Sequence, residues 1–234
     1  MTNNFDLIKN YMINEGIPLL EKDMGDLFFV VMLVRRGKDH PDLPAANYTF
    51  KSYYFDSIEK FDKLSNEMIK CCEMLGLRAY VSVNVKSKEE FSKMCSMKFA
   101  QNILNNEYKK PWRVSDHIFG KITAKNDNTW LVDIDNIDTV NNIQDINYMV
   151  QMLSIINSCD SKYNPVVIGQ IPTRSGIHIL ARPFNVAQYR KEWDLKFGSS
   201  DKEFPDIKKN HITLLYENID ITDYDKRIME SKYK

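Results

Sequence analysis

Cysteine is scarce in this chain, and what there is does not form a framework. The four cysteines among 234 residues are Cys71, Cys72, Cys95 and Cys159. Adjacent Cys71 and Cys72 cannot easily bridge each other, and no CxxC pair exists to build a zinc ribbon. Buried thiols in a reducing compartment are the expectation. Long hydrophobic runs are missing too. The longest is Leu27–Val34, far too short to span a membrane. The first ten residues, MTNNFDLIKN, lack the basic-then-apolar pattern of a signal peptide, so a cytoplasmic protein is expected. There is no excess charge of either sign. The 32 basic and 32 acidic residues cancel, which argues against a strongly basic duplex-binding domain. No Walker-type loop is present, so no fused helicase is expected. Glycine and proline stand at only 8 each. That scarcity, beside abundant Asn, Lys, Ile and Tyr, resembles the output of an AT-rich genome.

What is present is ordinary for a globular protein: 43% hydrophobic and 27% charged residues, in a chain long enough to bury a real core. The apolar run Leu27–Val34 reads as a central strand buried on both faces. Residues 35–47 read as a loop, and Tyr48–Phe55 as a strand. A helix follows, with Asp56 as its expected cap, an apolar stripe from Ile58 to Leu75, and Gly76 as its stop. Arg78–Val85 alternates as a strand. Ser87 with Glu90 opens a helix that runs to about residue 104. The polar and basic segment Asn105–Asn128 reads as a boundary or a long functional loop, with Lys109, Lys110, Arg113, Lys121 and Lys125 around Trp112. Thr129–Ile134 begins a second set: strand, an amphipathic helix from Ile143 to Ile156, strands at Pro165–Ile171 and Ile177–Arg182 joined by a tight turn, and a last strand at His211–Tyr216. The charged tail, 217–234, is expected to be a loose helix. The fold class expected is α+β, with mixed or antiparallel sheets and flanking helices. An N-terminal subdomain (1–108) and a C-terminal subdomain (109–234) would together make one compact unit.

Three groups of residues carry chemistry. In Trp130-Leu-Val-Asp-Ile-Asp135, side chains two apart on a strand share a face, so Asp133 and Asp135 project together. Paired carboxylates repel unless a cation lies between them, and hard oxygen donors suit Mg²⁺ or Mn²⁺. In Pro172–Leu180, Arg174, Ser175 and His178 sit on a turn and the strand leaving it. Gly176 there would let the backbone approach a ligand, and Arg174 would hold a phosphate. In Phe204–Tyr216, Asp206 offers a third acid, with Glu217 and Asp220 as rivals, and Lys208, Lys209 and Asn210 would reach phosphates or a template strand.

Taken in order, these motifs resemble the catalytic core of the archaeo-eukaryotic primase superfamily, over roughly residues 129–216. The D-x-D pair is matched by Asp133 and Asp135, the Ser-and-His motif by Ser175 and His178, and the single acid by Asp206. Ser175 stands three residues before His178, where the common family spacing is two. The resemblance implies a C-terminal RRM-like unit and a two-metal nucleotidyltransferase of primase-polymerase type. Asp133, Asp135 and Asp206 would be its catalytic metal ligands for Mg²⁺ or Mn²⁺. Arg174, Ser175, His178, Lys208 and Asn210 would bind nucleotide phosphates. The implied partners are nucleoside triphosphates and a single-stranded DNA or RNA template, with no membrane. The basic stretch around Trp112 would be a solvated surface loop or would track a single strand, and Arg78 would face the cleft or lie on the surface. A metal-dependent nuclease and a non-catalytic nucleic-acid-binding or accessory module remain alternatives at this point.

Overall fold

A computed structural model of the protein describes residues 1–14, 25–40, 47–108, 113–122, 129–138, 141–200 and 202–218. In chain order its elements are β1 (Thr2–Asn3), α1 (Phe5–Asn14), β2 (Leu27–Arg36), a single 3₁₀ turn (Gly37–Asp39), β3 (Asn47–Phe55), α2 (Ile58–Leu75), β4 (Arg78–Ser82), β5 (Lys86–Ser87), α3 (Lys88–Leu104), α4 (Val114–Phe119), β6 (Trp130–Asp135), α5 (Ile143–Ser158), β7 (Val167–Pro172), β8 (Gly176–Ala181), α6 (Val186–Phe197), β9 (Asp206–Lys209) and β10 (Ile212–Glu217). The fold is α+β, built on two antiparallel sheets.

The first sheet runs β1-β10-β4-β2-β3, with β5 paired to the start of β2. β2 is central, and its unbroken apolar run has a physical cause. Phe29, Val31 and Leu33 enter a core with Phe5, Ile8, Phe61 and Met68 of α1 and α2, while Phe28 and Val30 enter a second core with α4 on the opposite face. A strand covered on both sides has no polar face to alternate. The cap of α2 is Ser57, not Asp56. The Ser57 hydroxyl accepts from the Lys60 N–H, and Gly76 closes the helix at φ +59°. α3 begins at the Ser87 cap, as expected.

The second sheet has the order β7-β8-β6-β9. Its chain order is β-α-β-β-α-β, with the first and third strands in the middle. This split βαβ arrangement is that of an RRM-like unit. α5 and α6 cover one face, where Val132, Ile134, Ile177 and Ile179 meet Tyr148, Met152, Tyr189 and Trp193. On the other face Leu131, Ile171 and Leu180 pack into the core of the first sheet. Alternation along β6 and β8 therefore divides the side chains between the helices and the cleft between the two units.

Several features depart from the sequence pattern. α4 lies within the stretch expected as loop, α6 occupies residues for which the pattern gives no element, and β9 is a strand in its own right. β4 ends at Ser82 rather than Val85. One strand crosses the division expected at residue 108, since β10 pairs with β1 and β4 of the first sheet. Lys109, Lys110, Trp112, Lys125, Asp220 and the tail from 219 lie outside the described residues. Arg113 lies over the Tyr48 ring at 4.9 Å. Among the described residues no helix is long and apolar enough to cross a membrane.

Candidate active site

The site is built on β6. Along it Leu131, Asp133 and Asp135 share the face that looks into the cleft, while Val132 and Ile134 anchor the other among the helices. Directly opposed residues of an antiparallel pair point to the same side of the sheet. The register sets Asp133 opposite His178 on β8 and opposite Asp206 on β9, and sets Asp135 opposite Gly176. Three sequence-distant motifs thus reach one sheet face.

The hairpin between β7 and β8 turns tightly at Arg174-Ser175, closed by the Thr173 N–H donating to the Gly176 carbonyl at 2.9 Å. The Ser175 carbonyl accepts from the Ile137 N–H at 3.2 Å, which ties the turn to the chain leaving β6. Gly176 serves the protein rather than a ligand. A Cβ there would stand 2.0 Å from the Ile134 carbonyl oxygen and 3.0 Å from the Asp135 Cα. Only a residue without a side chain lets β8 close on β6 beside Asp135.

Asp133 is the most constrained of the acids. His178 Nε2 lies 3.2 Å from one carboxylate oxygen, and the Lys208 ammonium donates to the other at 2.5 Å. Burial pushes the carboxyl pKa up, but the hydrogen bonds and charges of His178 and Lys208 prevail and hold it well below the usual carboxylate range. The other ring nitrogen of His178, Nδ1, is hydrogen-bonded to the Thr213 hydroxyl of β10 at 2.8 Å. The first sheet therefore orients the histidine of the second.

Two cavities meet at the acid pair, and Asp133 and Asp135 line both. The first, about 430 Å³, holds Arg174, Ser175, His178 and Lys208, with Arg36, Arg78 and Tyr80 from the first sheet as the opposite wall. Arg36 donates to the Tyr80 hydroxyl at 3.0 Å. The second, about 520 Å³, holds Asp206, Asn136, Tyr148, Lys202 and Phe204. The expected phosphate-binding residues thus gather on one side of the acids, apart from Asn210. Asn210 sits at φ +57° between β9 and β10, where it accepts from the Lys86 ammonium and donates to the Ile122 carbonyl at 3.4 Å. Burial pushes that Lys86 ammonium down to about 8.

Arg78 does reach the first cavity, but as a buried residue held on both sides. It donates two hydrogen bonds to Asp39, at 2.6 and 2.7 Å, and pairs with Glu217 at 2.8 Å. Glu217 is thereby committed to Arg78 in the first sheet, which leaves Asp206 as the acid beside Asp133 among the described residues. Arg36, Tyr80 and Thr213 carry no signal in the sequence, because each joins the site only through long-range strand pairing. Among the described residues, no group of three or more His, Cys, Asp or Glu side chains is arranged to hold a metal ion as those side chains stand. No protein-family model, curated protein or solved structure matches the chain.

Proposed function

We propose that the protein is a metal-dependent nucleotidyltransferase of primase-polymerase type, acting on nucleoside triphosphates at Asp133, Asp135 and Asp206. The observation that carries this is the register of β6. It puts Asp133 opposite both His178 and Asp206, and Asp135 on the same face, in a cleft that also holds Arg174, Lys208 and Arg36. Opposed residues place their Cβ atoms about 4.5–5.5 Å apart, so small side-chain rotations bring Asp133 and Asp206 onto a shared cation. Three hard oxygen donors fit Mg²⁺ or Mn²⁺, with Lys208 as the group that must yield its place on Asp133. Divalent ions held there would supply activation of the attacking hydroxyl and neutralisation of the leaving pyrophosphate.

The chain's own residues divide the remaining work. Arg174 and Arg36 flank the first cavity and offer planar donors to phosphate oxygens. His178, fixed through Thr213, donates from a defined direction. Lys208, once off Asp133, lies within reach of the same triphosphate. Asn210 has no part in this scheme, because its amide is committed to Lys86 and Ile122. A second reading, a nucleotide-binding module without chemistry, draws on one observation: Lys208 pairs with Asp133.

Titration calorimetry with Mn²⁺ and a non-hydrolysable nucleoside triphosphate separates the two. The catalytic reading predicts Mn²⁺-dependent triphosphate binding, weakened by about tenfold or more in Asp133→Asn/Asp135→Asn. It also predicts tighter binding of Mn²⁺ alone in Lys208→Met. Triphosphate binding indifferent to Mn²⁺ and to the acids would support the module.

A further inference from the structure

α5 differs from the other helices in what it shows to solvent. Of its 16 residues, Ile143–Ser158, the one charged side chain is Asp145, which is buried and paired with Lys202. Its whole outer face is therefore uncharged, in a chain that is 27% charged. α2, by contrast, carries Glu59, Lys60, Asp62 and Lys63 in its first two turns. Apolar residues stand on that uncharged face. Ile143 is 72% exposed, Val150 61% and Ile146 37%, and half-buried Leu153 continues the row. The four follow one another at steps of three, four and three residues, the a and d spacing of a helix seam. A surface helix needs one apolar row, toward its own core, and α5 already has it in Tyr148, Met149, Met152, Ile155 and Ile156. Tyr148 meets Phe197 of α6 at 4.8 Å. Val150 stands about 160° around the helix from Tyr148, so the second row lies on the flank away from α6.

We propose that this second row is a homodimer interface, in which α5 packs antiparallel against α5 of a second copy. A seam spaced three, four, three reads the same in both directions. Turned about a two-fold axis level with residue 148, Ile143 meets the second copy's Leu153 and Ile146 meets its Val150. The same two layers recur on the other side of the axis, so all four positions find apolar partners. Such self-matching is what a contact between identical surfaces requires. The face has no charge with which to select a charged partner, and depletion of charge marks the centre of an interface. Gln144, Asn147, Gln151 and Ser154 flank the row as a polar, uncharged rim. A helix about 24 Å long and about 10 Å across buries on the order of 500 Å² per copy against its twin. That is the low end for a specific interface, so association should be reversible and in the micromolar range. α5 covers the face of the second sheet opposite the cleft, so the two copies stand back to back with both clefts open. The pairing does not depend on what the acids do.

The test is sedimentation velocity of the full chain from about 1 to about 200 µM, over which mass action should carry wild type from monomer to dimer. Val150→Glu and Ile146→Lys each put an unpaired charge into an apolar layer. Each should weaken dimerisation by about a hundredfold or more and leave monomer throughout. Both side chains are exposed, so folding should persist, and a circular-dichroism melt checks it. An equal mixture of the two variants should recover a dimer. The antiparallel register sets the new lysine of one chain against the new glutamate of the other and keeps the second Ile146–Val150 layer intact. Wild type that stays monomeric at the highest concentration would overturn the proposal and leave the seam to a different partner. A dimer indifferent to both substitutions would overturn it too, by placing the self-contact elsewhere. Folded variants that remain monomeric when mixed, from a wild type that dimerises, would overturn the antiparallel pairing.

Discussion

At the scale of single residues, the site depends on one close approach and one internal counter-ion. Gly176 has no side chain because β6 passes where its Cβ would be. Gly176→Ala should therefore force the strands apart beside Asp135 and cost about 3 kcal/mol, read as a fall in the urea midpoint of the metal-free protein. An unchanged midpoint would mean that β8 does not sit as closely on β6 as the structure has it. Lys208 is the counter-ion, and with His178 it holds the Asp133 carboxyl pKa low. The acids and the histidine are legible in the sequence, since alternation on a strand is a local signal and D-x-D needs no partner to be noticed. The role of Gly176 and the Lys208 contact are not. Each is set by a pairing between distant strands, and Lys208 lies 75 residues from Asp133.

At the scale of elements, helices differ in what holds them. α2 is fixed by buried Ile58, Phe61, Met68 and Cys72, whereas α3, 17 residues long, has no fully buried side chain. Its half-buried Phe91, Met94 and Cys95 pack on the second core, and its first turn is fixed by the N-terminal cap. The Ser87 hydroxyl accepts from the Glu90 N–H at 3.1 Å and donates to Asp26 at 2.6 Å, while Asp26 also accepts from the Glu89 N–H at 2.9 Å. Ser87→Ala should cost about 1 kcal/mol and speed amide exchange at Glu89 and Glu90. Exchange unchanged in that first turn would show that the cap is not what secures α3. The cap was readable from Ser87 and Glu90 because a capping box is a four-residue pattern. α6 was readable in principle from Tyr189, Trp193 and Phe197 at four-residue steps behind the Asn185 cap. Charged residues between those aromatics dilute the apolar stripe, and aromatic side chains are only fair helix formers.

At the scale of the whole molecule, the chain crosses between its two sheets just after the site. β9 completes the second sheet, and β10, two residues later, enters the first between β1 and β4. The crossing carries Thr213 to His178 and Ile212 and Leu214 to the first cavity, so the cleft is assembled from both units. Strands that follow one another without a helix between them, as in β2–β3 and β7–β8, beside amphipathic helices suffice to give the α+β class. They do not give the strand order, because the partners of β10, namely β1 and β4, lie far earlier in the chain and leave no local mark on its sequence. The proposed nucleotidyl transfer at Asp133, Asp135 and Asp206 is decided by a primer-synthesis and primer-extension assay with Mg²⁺ or Mn²⁺, comparing wild type with Asp133→Asn/Asp135→Asn and with Asp206→Asn. Metal-dependent products from wild type, lost by about a hundredfold or more in both variants, are the predicted result. Absence of product with every nucleotide and template, or product undiminished in the acid variants, would contradict it.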